Sequence, residues 1–161
     1  MLQVNVKNKV SQMLVITLNV QCTMNNVQCL IKVGGRIDRI DVMNDKLRIV
    51  DYKTGSYKLK DNVKMENVVS LEKEHVSYYL QTFLYALAEM EHPEAKLPIQ
   101  PILFFPIKAA SPDYDPTLKI DGNVVDDFAN QYADEFKQGL QNILADIFNP
   151  EKPFTRSSLC W

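Results

Sequence analysis

The sequence predicts a mixed α/β fold, a central mixed β-sheet flanked by α-helices. Three observations carry that prediction. Strand-like runs rich in β-branched residues fill the first third of the chain, and two of them flank the turn-forming pair Asn44-Asp45. A helical stripe follows at Val76, Tyr79, Leu80, Phe83, Leu84 and Leu87, and a longer one runs from Val124 to Ile147. Between the stripes lies a continuous apolar run, Ile99 to Ile107. A strand–helix–strand path from Asp51 to Phe105 then predicts a parallel, right-handed crossover.

In chain order, Val4 to Val10 reads as an irregular edge strand and Met13 to Val20 as a regular one. Asn25-Asn26 marks a turn, Val27 to Val33 the next strand, and Gly34-Gly35 permit a bend or bulge before Arg36. The hairpin around Asn44-Asp45 follows. Residues 56–72 have no clear period and read as a long loop. Lys58, Lys60 and Lys64 in it read first as ordinary solvated lysines, with phosphate contact as the second reading. Helical periodicity begins near Lys73 or His75 and ends near His92-Pro93. A buried strand of four to six residues is expected around Ile102 to Phe105. Residues 108–122 form a loop, Asn123 or Asp121 caps the last helix, and that helix stops at Asn149-Pro150.

The chain has 161 residues, 46% of them hydrophobic, which fits a single domain with its own core over residues 1–161. No apolar run approaches the ~18 residues of a membrane helix, and the N-terminus lacks a basic-then-apolar signal pattern. These features point to a cytoplasmic protein with no membrane partner. Cys22 and Cys29 sit in strand-like runs and read as buried thiols. His75 and His92 lie in no metal-ligand spacing, and no Gly-rich phosphate loop is present, which argues against ATPase machinery. The net charge of −2 is unlike that of an autonomous DNA-binding module. Residues 1–37 nevertheless carry Lys7, Lys9, Lys32 and Arg36 and no acid, so a local basic face is available.

The chemistry concentrates in Gly35 to Gly55. In an antiparallel hairpin turning at Asn44-Asp45, Val42 faces Leu47, Ile40 faces Ile49 and Asp38 faces Asp51, all toward one side of the sheet. Alternation adds Lys53 to that side and puts Asp41, Arg48, Ile37 and Tyr52 on the other. Opposed carboxylates at a Cβ spacing of ~4.5–5.5 Å repel, and a hard divalent cation held by their oxygens resolves the conflict. Lys53 is then placed to stabilise an anionic transition state, so the pattern points to metal-assisted hydrolysis of a phosphodiester. On the following helix Gln81 and Tyr85 form a stripe beside the apolar one, with Tyr78 on its flank. From the helix alone, Tyr85 reads as core rim.

Gly35-Arg36-Ile37-Asp38, Asp51-Tyr52-Lys53-Thr54-Gly55 and Gln81-Thr82-Phe83-Leu84-Tyr85 match, in order, the G-x-x-D, D-x-K and Q-x-x-x-Y signatures of the RecB-like branch of the PD-(D/E)XK nucleases. The chain resembles that family over roughly residues 12–160, and most of all the nuclease domain at the C-terminal end of AddB-type helicase–nuclease subunits. The resemblance implies a restriction-endonuclease-like core and a metal-dependent DNA nuclease, an exonuclease of recombination and repair. It implies Mg²⁺ or Mn²⁺ on Asp38, Asp51 and the Tyr52 carbonyl. It makes Asp38, Asp51, Lys53, Gln81 and Tyr85 catalytic and puts Gln81 and Tyr85 against substrate, where Lys58 of the loop is the third candidate contact. The implied partners are DNA and a helicase region or subunit. A stand-alone nuclease of CRISPR spacer acquisition shares these motifs, and an inert DNA-binding or scaffolding module of the same fold is the reading from a different class.

The chain departs from the family pattern at both ends. RecB-like nucleases carry a helix before the sheet that supplies another metal ligand, whereas here Asp38 is the first acidic residue. AddB-type domains hold an iron–sulfur cluster on four cysteines, and Cys160 alone holds none. The resemblance therefore implies a fragment of a longer protein, with an iron–sulfur cluster only in that longer chain, and with weak metal binding and little cleavage by residues 1–161.

Overall fold

The computed structural model describes residues 9–22, 27–55, 62–70, 76–93 and 95–154. Strands β1 (Lys9–Cys22), β2 (Val27–Met43), β3 (Lys46–Tyr52) and β4 (Ile99–Phe104) form one sheet in the order β1-β2-β3-β4. β1, β2 and β3 are antiparallel neighbours, and β4 runs parallel to β3. The sheet is mixed, as the strand–helix–strand path predicts. Thr117 bridges antiparallel to Ile102 on the outer side of β4, where Leu103 N donates to Pro116 O at 3.1 Å.

β2 and β3 are joined by Asn44 and Asp45, with φ of 52° and 57°. A two-residue loop with both φ positive matches the twist of its strands and so fixes their register. Val42 pairs with Leu47 and Ile40 with Ile49, as expected. Ile37 departs from expectation. It is fully buried in the same core as Ile40 and Ile49, not on the opposite face. The inward positions of β2 change parity between Ile37 and Ile40. Along β1 the odd positions Ile31, Val33 and Ile37 join the core, whereas Ile40, which pairs with both Lys9 of β1 and Ile49 of β3, is an even position that does. Strict alternation counted from the hairpin therefore fails beyond Asp38. The bend expected at Gly34-Gly35 is also absent, since both lie within continuous β2.

Residues expected as one long loop contain a short helix, α1 (Met65–Ser70), which buries Met65, Asn67 and Val68. Six residues are too few to show a period. Helix α2 (Val76–Met90) buries Tyr79, Phe83, Ala86 and Leu87. Its far side is covered as well: the Phe83 ring stands 5.1 Å from Phe128 and 5.6 Å from Phe136. Those rings belong to α3 (Phe128–Gln131) and α4 (Ala133–Ile147). The single long helix expected after residue 122 is thus two helices preceded by a hairpin. β5 (Lys119–Ile120) and β6 (Asn123–Val124) pair across Asp121 and Gly122, at φ 50° and 80°. Asp121 and Asn123 do not cap the helix. Asp127 does, accepting from Asn130 N. The Gln131 side chain accepts from Asp126 N and Asp127 N and so folds α3 back on its own entry.

The expected Asp41/Arg48 pair is present on the face of the hairpin away from α2. Asp41 is 1% exposed, and Arg48 donates to it twice, at 2.6 and 2.8 Å, while Arg39 forms a further ion pair. Burial alone would raise the Asp41 carboxyl, but the Arg48 bonds and the two guanidinium charges outweigh it and hold the group below its ordinary value. Its stabilising contribution is complete above the unfolded value of 3.8 and is lost as pH falls through the lower folded value. Arg48→Met should cost about 2 kcal/mol, because a buried carboxylate loses its bidentate partner while Arg39 remains. Urea melts at pH 7 and pH 3 check this. The loss should be larger at pH 7, where Asp41 is charged in both states.

Among the described residues no helix is long and apolar enough to cross a membrane. Cys29 is disulfide-bonded, which corrects the reading of it as a free thiol. The turn expected at Asn25-Asn26 lies outside the described residues.

Candidate active site

The C-terminal end of β3 carries Asp51 and Tyr52, with Lys53 directly after it. Lys53 N donates to Phe104 O at 2.9 Å, which extends the parallel ladder one residue past the strand and fixes the lysine backbone. Gly55, at φ 122°, then turns the chain in a conformation that side chains resist.

Asp38 Oδ2 accepts from Tyr52 N at 2.9 Å, so the half-buried first carboxylate is tied to the residue after the second. Asp51 is 3% exposed. Burial pushes its carboxyl above the ordinary range, the Lys53 bond and charge offset part of that, and the charge of Asp38 pushes it up again. Asp51 Oδ2 lies 2.7 Å from Lys53 Nζ, yet this buried oxygen accepts no properly directed hydrogen bond.

Helix α2 supplies the other wall. Lys53 Nζ donates to Gln81 Oε1 at 2.6 Å and stands 4.9 Å from the centre of the Tyr78 ring. One helical turn on, Gln81 Nε2 donates to Tyr85 Oη at 2.8 Å. Tyr85 is buried, as a core-rim residue would be, and its hydroxyl is bonded into the site. Four contacts thus form a chain from Asp51 to Tyr85, and the two made by Lys53 with Tyr78 and Gln81 join the end of β3 to α2.

The structure therefore brings together Asp38, Asp51, Lys53, Gln81 and Tyr85. Of Tyr52 only the backbone meets the site. Its ring packs edge-on against Phe104 at 5.5 Å, and its hydroxyl accepts from Arg39. Lys58, Lys60 and Cys160 lie outside the described residues, and Lys64 is exposed beside Glu66. Tyr78, expected on the flank of the Gln81 and Tyr85 stripe, lies there and meets the lysine. Its position three residues before Gln81 puts the two on one helix face.

Among the described residues no three His, Cys, Asp or Glu side chains gather into a metal-binding group. Asp38 and Asp51 still fit a small hard cation. They are two mutually repelling carboxylates, and the one cation that the structure pairs with Asp51 among the described residues, Lys53, is shared with Gln81 on the helix.

No curated protein and no solved structure matches the chain significantly. The family model described as the PD-(D/E)XK nuclease superfamily matches residues 4–161. Members of that superfamily are nucleases that generally use divalent metal ions such as Mg²⁺ or Mn²⁺. With the aspartates, the lysine and the mixed sheet already in place, that match settles the family: this chain belongs to the PD-(D/E)XK nuclease superfamily.

Proposed function

We propose that the chain is a metal-dependent deoxyribonuclease domain, an exonuclease that works in the cytoplasm with a helicase region or subunit in recombination and repair. The observation that carries the hydrolytic part is Asp51. Its carboxylate is buried, raised in pKa by burial and by Asp38, and paired at Oδ2 only with the Lys53 ammonium among the described residues. The finer attribution is supported by the likeness of Gly35–Asp38, Asp51–Gly55 and Gln81–Tyr85 to the RecB-like signatures.

Asp38 and Asp51 are the residues that would hold Mg²⁺ or Mn²⁺, with the Tyr52 carbonyl as the third proposed ligand. When bound, such an ion supplies Lewis-acid polarisation of the phosphodiester. Lys53 orients the attacking water or stabilises the charge that develops on the phosphate. Gln81 holds the lysine ammonium, and the Tyr85 hydroxyl fixes which way the Gln81 amide faces. Gln81, Tyr85 and Lys58 are the proposed contacts to the nucleic-acid strand. With two side-chain ligands among the described residues, weak metal binding and slow turnover are expected.

The test uses one end-labelled linear duplex and one covalently closed circle, each incubated with Mg²⁺, Mn²⁺ or EDTA. The expected result is metal-dependent loss of the linear substrate, beginning at its ends, with the circle spared. Equal breakdown in EDTA would remove the metal from the account. Retention of DNA without any cleavage in either metal would favour the inert binding module, and nicking of the circle would refute the exonuclease assignment.

A further inference from the structure

The two glycines in mid-β2 are constrained by different things. A Cβ on Gly34 would stand 2.2 Å from Leu14 O, so that position is closed by the backbone of the neighbouring strand. A Cβ on Gly35 would meet a side chain, and its three nearest atoms all belong to Tyr85: Cε1 at 2.8 Å, Oη at 3.1 Å and Cζ at 3.4 Å. The hydroxyl end of the Tyr85 ring therefore rests on the bare Cα of Gly35. That ring is buried, so it has little room to yield. Its hydroxyl accepts from Gln81 Nε2, and Gln81 Oε1 accepts from Lys53 Nζ, which stands 2.7 Å from Asp51 Oδ2.

We propose that Gly35 is a positioning residue: it is the seat of the Tyr85 ring, and through Tyr85 and Gln81 it sets where the Lys53 ammonium stands. A methyl group at Gly35 must displace the ring from its hydroxyl end, the end that fixes the Gln81 amide. A displaced hydroxyl leaves Gln81 free to rotate, and Lys53 loses its acceptor on the helix. Gly35 itself touches no reacting group. The proposal rests on the nuclease reading only for its kinetic consequence; the seat is a property of the fold.

The test combines kinetics with the Gln81 side-chain amide in a ¹H–¹⁵N spectrum, across Gly35→Ala, Tyr85→Phe, Tyr85→Leu and the double variant Gly35→Ala/Tyr85→Leu. Gly35→Ala should move the Gln81 amide pair to the position it takes in Tyr85→Phe. It should lower kcat about 10- to 100-fold with KM changed less than about 3-fold, the response expected of a reacting group misplaced by about 1 Å. In the Tyr85→Leu background, where the obstructing ring is gone, Gly35→Ala should change neither the amide, nor kcat, nor Tm, a non-additivity that marks direct coupling. An unmoved Gln81 amide in Gly35→Ala, or the same loss from Gly35→Ala in both backgrounds, would overturn the proposal. If Gly35→Ala alone does not fold, the double variant decides. Folding like Tyr85→Leu supports the seat, and failing to fold refutes it. If the parent protein cleaves no DNA, the nuclease reading fails, and the amide and Tm arms still settle the seat.

Discussion

Lys53→Ala should reduce metal-dependent cleavage by about 10²- to 10³-fold, the cost of removing one positioned stabiliser of transition-state charge. The fold should survive. The Lys53 backbone is held by its bond to Phe104 O, which the substitution leaves intact. Among the described residues the side chain pairs with groups of the site, namely Asp51, Gln81 and the Tyr78 ring. Circular dichroism and a thermal melt would verify the fold, and cleavage within a few-fold of the parent would remove Lys53 from the mechanism. An arginine there should not rescue. The pocket between Asp51 and Gln81 holds a compact ammonium, and a planar guanidinium needs a wider fork of acceptors.

Asp51→Asn should abolish cleavage and leave the protein at least as stable as the parent at pH 7. The two effects share one cause. Burial and Asp38 raise the Asp51 carboxyl above its ordinary value. Between the unfolded value of 3.8 and the raised folded value, the native state holds more protons than the unfolded one, so stability falls as pH rises through that window. Above the window the cost of the buried charge is fully present, and the neutral amide avoids it. Below pH 3.8 both states are protonated and the difference should vanish. Thermal melts without added metal at pH 3 and pH 7 read this directly. A variant clearly less stable than the parent at pH 7 would mean that the Lys53 pairing outweighs burial.

The hairpin was legible because its register is set locally. Asn44 and Asp45 both adopt positive φ, a two-residue loop admits one pairing, and alternation then puts Asp38 and Asp51 at the same end. The approach of α2 was legible as a stripe, and Gln81 and Tyr85 fell where four-residue spacing puts them. What failed was set by tertiary partners. Ile37 and Ile40 both turn inward although they are three apart, so alternation breaks within β2 itself, which the sequence pattern does not record. Gly34 and Gly35 looked like a bend, yet one is constrained by a neighbouring strand and the other by a ring fifty residues away in sequence, Gly35 to Tyr85. The Asp121-Gly122 hairpin was passed over because its strands have two residues each, too short to alternate. Val124 and Val125 happen to continue the helical stripe of α4, so one helix was read where the chain makes a hairpin and two helices. The Tyr78 contact with Lys53 depends on how α2 is rotated over β3, which periodicity gives only to within a helix face.

The central claim is that Asp38 and Asp51 form a cation site whose charge Lys53 shares. The most direct measurement is isothermal titration of Mn²⁺ into the parent protein, Asp51→Asn and Lys53→Ala at pH 7. Removing a carboxylate should erase the binding isotherm. Removing the ammonium that stands 2.7 Å from Asp51 Oδ2 should preserve or tighten it, because the competing positive charge is gone. Equal Mn²⁺ affinity in the parent and Asp51→Asn, or loss of binding in Lys53→Ala, would contradict the account.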